Sequence, residues 1–175
     1  MIPTTKSIEQ IVDEVDQNLR QVEITFDDAT WRELIPSKSG WYLIKTNASI
    51  DKLMKCQKPI KNIAHTNIPE TIVETYGLQK AGIAIMQSGN EEYVIYNGEA
   101  DNLKARAREH LQGHSKTFCL GLSNYQNIIG QFKWVFCYVS ASDCKTVQNK
   151  ADKILRNAIE QAWRVKHGWP ILCRK

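Results

Sequence analysis

Residues 132–139, Phe-Lys-Trp-Val-Phe-Cys-Tyr-Val, constrain this chain more than any other stretch. Aromatic and β-branched side chains pack well on a pleated surface and lose rotamer freedom in a helix. A run this apolar predicts a strand in the middle of a sheet, covered on both faces. The rest of the chain must then supply neighbouring strands and covering helices.

Four further segments read as strands. Val22 to Phe26 alternates, Trp41 to Lys45 follows a Pro36–Gly40 turn, and Ile83 to Met86 faces Tyr93 to Tyr96 across Ser88-Gly89-Asn90 as a hairpin that Asn97-Gly98 ends. Helical spacing appears elsewhere. Ser7 and Gln10 form a capping box ahead of Ile8, Ile11, Val12, Val15 and Leu19. Asp27 to Trp31 suits a cap and a short helix, and Ile50, Leu53 and Met54 suit another. Pro69 to Tyr76 stops at Gly77, and a helix capped by Asp101 runs to Gln112 before Gly113. The last helix spans about residues 146–166, with Val147, Ala151, Ile154, Leu155, Ala158 and Ala162 as its expected buried face. The pattern predicts an α+β fold: a small antiparallel sheet of about three core strands plus an insertion hairpin, flanked by helices.

A length of 175 residues suits one domain, and no apolar run is long enough for a membrane span. Five cysteines (Cys56, Cys119, Cys137, Cys144 and Cys173) without a C-x-x-C pair argue against a disulfide framework or a zinc knuckle, so a cytoplasmic location is expected. Charge is uneven. Residues 1–40 hold eight acids against four bases, and residues 145–175 hold eight bases against two acids. A basic end suggests a polyanion-facing surface, and a solvated charged helix would read the same way.

No common phosphate-loop, dinucleotide, zinc-protease or serine-hydrolase motif is present. His110 and His114 are separated by Gly113, which spoils a two-histidine metal face. Arg106 and His110, four residues apart, share a helical face along the edge of the Leu103, Ala107, Leu111 stripe. Such a pair can be aimed at an anion in a cleft. It reads equally as a solvent-facing cation beside a partly buried histidine.

Gly40-Trp41-Tyr42, Tyr96-Asn97-Gly98, the following stretch to Arg106, His110, Glu160 to Arg164 and Pro170 to Cys173 together resemble the GIY-YIG nuclease family, restriction-endonuclease type, in order and spacing over residues 38–173. Trp41 and Asn97 stand where that family has isoleucine, Glu99 where repair-type members often have lysine, and Cys173 where asparagine is usual. Two segments could supply the first motif strand. Gly82-Ile83-Ala84 has no tyrosine, whereas Ile35 to Ile44 resembles the family's lead-in, which favours Tyr42.

The resemblance implies a single nuclease domain over 1–175. It would comprise an N-terminal extension (1–37) and a GIY-YIG-like core (38–173) with an insertion at about 47–81. It implies a metal-dependent DNA endonuclease, a sequence-specific type II restriction enzyme working as a homodimer on double-stranded DNA. Repair, phage or homing-type nucleases and an inactive DNA-binding module are the alternatives. Tyr42 would be the general base or hold the attacking water, assisted by His110, and Tyr96 would orient water or phosphate. Arg106 would stabilise phosphoryl charge, and Glu160 would bind one Mg²⁺ or Mn²⁺. Lys104, Lys116, Lys153, Arg156 and Arg164 would contact DNA.

Overall fold

The computed structural model describes residues 7–57, 66–86, 91–147 and 152–174. Four antiparallel strands form its sheet: β1 (Arg20–Glu23), β2 (Gly40–Thr46), β3 (Tyr93–Ala100) and β4 (Trp134–Ser140), in the order β1-β4-β2-β3. β4 is therefore internal, as its composition predicts, and every one of its residues is buried. The fold is α+β.

Strand alternation divides the core into two layers. Tyr42, Ile44, Phe136 and Tyr138 face one side, while Trp41, Leu43, Val135, Cys137 and Val139 face the other. The first layer is covered by α4 (Leu103–Gln112), α3 (Ile68–Gly77), α2 (Ile50–Leu53) and α5 (Gln126–Ile129). The second is covered by α1 (Ile8–Asn18) and α6 (Lys153–His167). The N-terminal extension is thus built into the sheet and its cover.

Local chemistry explains the boundaries. Ser7 Oγ accepts from the Gln10 N–H and Gln10 Oε1 accepts from the Ser7 N–H, so the capping box forms as read. α4 is capped by Asn102, one residue after the expected Asp101; the Asn102 carboxamide accepts from the Ala105 N–H at 2.9 Å. Gly113, at φ 87°, ends it.

Three expectations are corrected. Residues 83–86 do not form a hairpin strand: Ile85 makes an isolated parallel bridge to Trp169, and the chain leaves the sheet. The proposed turn falls at 88–90, outside the described residues. β3 instead pairs with β2 and runs past Asn97-Gly98 to Ala100. Tyr42 on β2 lies directly opposite Gly98 on β3, whereas residues 82–84 belong to no strand.

The third correction concerns α6. It begins at Lys153, after the Asp152 cap, and its buried residues are Arg156, Ile159, Trp163 and Arg164. Of the expected buried face, Val147 is buried before the helix, and Leu155, Ala158 and Ala162 are half-buried. Ile154 is 80% exposed, and Ala151 lies outside the described residues. Helical spacing identified an apolar stripe but not which of two stripes faces the core.

A register shift between Ile44 and Lys45 makes a bulge in β3, so Ile95 and Tyr96 both join the layer of Tyr42. The Ile95 carbonyl accepts from the Leu172 N–H at 2.9 Å, which draws the C-terminal segment across this strand. Phe136 stacks on Tyr42 at 5.2 Å between ring centroids and is fully buried. Phe136→Ala should lower unfolding free energy by about 3–5 kcal/mol in urea titrations. A loss below about 1 kcal/mol would contradict this placement of the ring.

Candidate active site

Tyr42 is 1% exposed, and its phenol oxygen is the meeting point of two elements. Arg106 Nε on α4 donates to it at 3.0 Å. His110 Nε2, one helical turn further, lies 2.9 Å away. The four-residue spacing read from the sequence puts both groups over the same phenol.

The direction of the histidine bond follows from its other nitrogen. His110 Nδ1 accepts from the Leu120 N–H at 3.2 Å, so in the neutral ring the proton sits on Nε2 and is donated to Tyr42. Burial, and then the nearby Arg106 charge, hold the His110 pKa well below the ordinary histidine value. His110 is fully buried, not at the border between core and solvent. With Nε2 protonated, it meets Tyr42 as a hydrogen-bond donor and not as a proton acceptor.

Arg106 is itself held in place. Its Nη1 pairs with Glu109 at 2.8 Å and its Nη2 donates to the Phe118 carbonyl at 2.6 Å. Tyr96 stacks on Tyr42 at 6.1 Å and presents its ring edge-on to His110 at 4.7 Å. Burial raises the phenol pKa of Tyr42 well above its usual value, with Tyr96 adding to the rise and Arg106 opposing it. Burial likewise pushes Tyr96 up to about 12. Both phenols are protonated at neutral pH.

Gly98 makes this arrangement possible. A Cβ at that position would lie 2.4 Å from the Tyr42 oxygen. At Gly40 a Cβ would lie 2.1 Å from the Val139 carbonyl, because β2 is hemmed in by β4. Both motif glycines are needed for close approach rather than for unusual backbone angles.

Glu160 reaches the same region from α6. Its Oε2 accepts from the Glu99 N–H at 3.0 Å, and its Oε1 is ion-paired with Arg164. Burial raises its pKa above the usual carboxylate value, opposed by Arg164. Its charge contributes to the upward shifts of Tyr42 and Tyr96, which places it within electrostatic reach of both. A gap of about 10 Å³ next to Glu160 is lined mainly by Val15, Trp41, Leu43, Ile159 and Trp163, so it lies in the second layer, on the face of the sheet opposite the Tyr42 ring.

Arg164 is in turn fixed by Asn97, whose Oδ1 accepts from Nε at 2.7 Å, and lies over the Trp169 ring at 4.6 Å. Asn97 and Cys173, two of the departures from the family pattern, lie against each other, with the Asn97 N–H 3.3 Å from Cys173 Sγ. The sequence reading missed this clamp. An asparagine inside an otherwise apolar strand, and an arginine four residues after Glu160, were its available signals.

The expected DNA contacts divide sharply. Arg156 is 4% exposed, with its guanidinium against Glu99 at 2.8 Å and Asp101, and its backbone carbonyl takes the Trp41 indole N–H. Arg156 and Arg164 are therefore structural cations with neutralised charge, a correction to their reading as phosphate contacts. Lys104 pairs with Glu33 at 2.6 Å. Lys116 and Lys153 are exposed.

Among the described residues no group of three or more His, Cys, Asp or Glu side chains is placed to hold a metal ion. No helix among them is long and apolar enough to cross a membrane. The chain matches no family model, no curated protein and no solved structure in comparisons with known proteins.

Gly98→Ala should force the Tyr42 ring away from Arg106 and His110. Thermal unfolding should show a lower Tm for this variant, and an unchanged Tm would contradict the close approach. A second expectation concerns pH. Because the folded state keeps His110 neutral, the unfolded chain binds an extra proton as pH falls through about 6.5. The stability that His110 contributes is complete above that value and is lost on acidification towards its lowered folded pKa. Urea titrations from pH 7.5 to 5 should show this loss, and His110→Gln should flatten the slope. An equal slope in both proteins would contradict a buried neutral imidazole.

Proposed function

We propose that this protein is a divalent-metal-dependent DNA endonuclease of the GIY-YIG type, acting on double-stranded DNA as a sequence-specific restriction enzyme. The observation that carries the reading is the Tyr42 phenol receiving hydrogen bonds from Arg106 and His110 beside Tyr96, with Glu160 bonded to the Glu99 N–H one residue beyond Gly98. These are the tyrosines, arginine, histidine and glutamate that the family resemblance picks out in the sequence, and they come from β2, β3, α4 and α6.

Phosphodiester hydrolysis needs a positioned water, a means of carrying its proton and stabilisation of charge on the phosphoryl oxygens. Tyr42 holds the water. Tyr42, a neutral phenol at rest, takes the water's proton only after releasing its own to solvent, and the Nε–H of Arg106 and the Nε2–H of His110 are placed to stabilise the phenolate so formed. Arg106 also supplies the positive field for the phosphate, and Tyr96 orients the second face of the water or a phosphate oxygen. Glu160 is the residue to hold Mg²⁺ or Mn²⁺. It would offer a hard carboxylate oxygen, Oε1, which in this structure pairs with Arg164. A cation held there would supply Lewis-acid polarisation of the phosphate.

A second reading, a DNA-binding module without catalysis, is favoured by one observation: both Glu160 oxygens are already engaged, one by the Glu99 N–H and one by Arg164. One digest separates the two. With Mg²⁺ and plasmid DNA, the wild-type chain should produce discrete fragments. Arg106→Ala should cut roughly 100- to 1,000-fold more slowly, the usual cost of losing one charge-stabilising donor. Glu160→Ala and Tyr42→Phe should leave the plasmid intact. Intact plasmid in every lane would overturn the enzyme reading.

A further inference from the structure

α4 carries Arg106 and His110 on one face and a second group of cations on the other. Arg106 and Arg108 are two residues apart, about 200° around a helix of 3.6 residues per turn, so Arg108 lies on the side away from Tyr42. There a pocket of about 290 Å³ opens between the first turns of α4 and the short helical turn at Thr30–Leu34. Arg32, Lys104 and Arg108 line it, together with Glu33, Ser37 and Asn102. Its walls are joined twice. The Leu103 N–H donates to the Lys38 carbonyl at 2.9 Å, and Lys104 pairs with Glu33 at 2.6 Å.

Charge decides what fits this pocket. Three cations against the single acid Glu33 leave two positive charges over. The acids nearest in sequence do not cancel them, since Asp101 is taken by Arg156 and Glu109 by Arg106. Lys104 and Arg108 are one turn apart, a like-charge spacing that destabilises a helix, and Arg32 adds a third charge from the facing wall. The exposed Arg108 guanidinium makes no ion pair or hydrogen bond among the described residues. Arg32 uses only its Nε, which donates to the Ala29 carbonyl at 3.3 Å. The neutral groups donate as well. Asn102 Oδ1 is occupied by the Ala105 N–H, which leaves the Nδ2 hydrogens, and Ser37 offers a hydroxyl.

We infer that this pocket binds a phosphomonoester group. Its dianion matches the excess charge, and its terminal oxygens suit the planar forks of Arg32 and Arg108. The volume is that of roughly ten waters, which leaves room for the atoms next to the phosphate. A backbone phosphodiester brings one charge only and is flanked by sugar on both sides, so it suits an open surface better than this recess.

This site stands independently of the nuclease reading, since it uses none of the residues around Tyr42. Small free phosphates and the 5′ end of a nucleic-acid strand carry the same group, and one titration separates these sources. The full nitrogen-15-labelled chain is followed by amide NMR slightly above neutral pH, where phosphate is mostly a dianion, with chloride keeping the ionic strength constant. Millimolar inorganic phosphate should give saturable shifts at the Ser37, Asn102, Lys104 and Ala105 amides and leave those of Tyr42 and Tyr96 unmoved. Arg108→Gln, at an exposed position, should weaken binding about tenfold, the effect of losing one charge-assisted bond. Glu33→Gln releases Lys104 and raises the excess charge, so it should tighten binding, a direction that a merely structural cluster would not give. A short duplex with 5′-phosphates that binds more tightly than inorganic phosphate assigns the pocket to strand ends, and the reverse order assigns it to a free phosphate. Shifts from neither probe would overturn the inference, as would binding unchanged in Arg108→Gln. A duplex without terminal phosphates that moves these amides as far as the phosphorylated one would overturn it too.

Discussion

A buried phenol oxygen that accepts two hydrogen bonds is the constraint around which this molecule is arranged. Tyr42 sits at the centre of the sheet, where an unpartnered hydroxyl would be costly to bury. α4 meets that requirement with Arg106 and His110 at one-turn spacing. The requirement then propagates outward. The second histidine nitrogen takes a backbone N–H from Leu120, and the guanidinium takes Glu109 and the Phe118 carbonyl. Gly98 leaves the space that the phenol occupies. The chain from 102 to 120 is in this way folded against one oxygen atom.

A second network adjoins the first. Glu160, Arg164, Asn97 and Cys173 bind one another at the β3 edge of the sheet, and Arg156 ties Glu99 and Asp101 to α6. Charges this deeply buried gain little net stability from their attraction, yet removing one partner would leave the other stranded. They fix how α6 crosses β3, and therefore where the Glu160 carboxylate lies relative to the phenols.

Much of the fold was legible from periodicity. The composition of β4 announced a central strand, the capping box at Ser7 formed as read, and Gly113 ended α4. The Tyr42–Arg106–His110 grouping was legible because a helix fixes which residues share a face and because the resemblance aligned the strands. Residues 83–86 were misread because four apolar residues before a glycine turn look the same whether they pair with a strand or pack against Trp169. α6 was misread for a related reason. A helix with two apolar stripes has no unique inward face until its partners are known. The burial of Arg156 was equally hidden, since the acids that pair with it come from distant β3 and the loop after it, and so does the asparagine that fixes Arg164 beside its helical partner Glu160.

The central claim is that Tyr42 receives a proton-bearing Nε2 from His110 while Nδ1 stays bare. Nitrogen-15 NMR of the histidine-labelled protein at neutral pH tests it directly. The account predicts an imidazole with protonated Nε2 and unprotonated Nδ1, whose Nε2–H signal shifts in Tyr42→Phe. A ring carrying its proton on Nδ1, or a signal indifferent to the loss of the phenol oxygen, would contradict it.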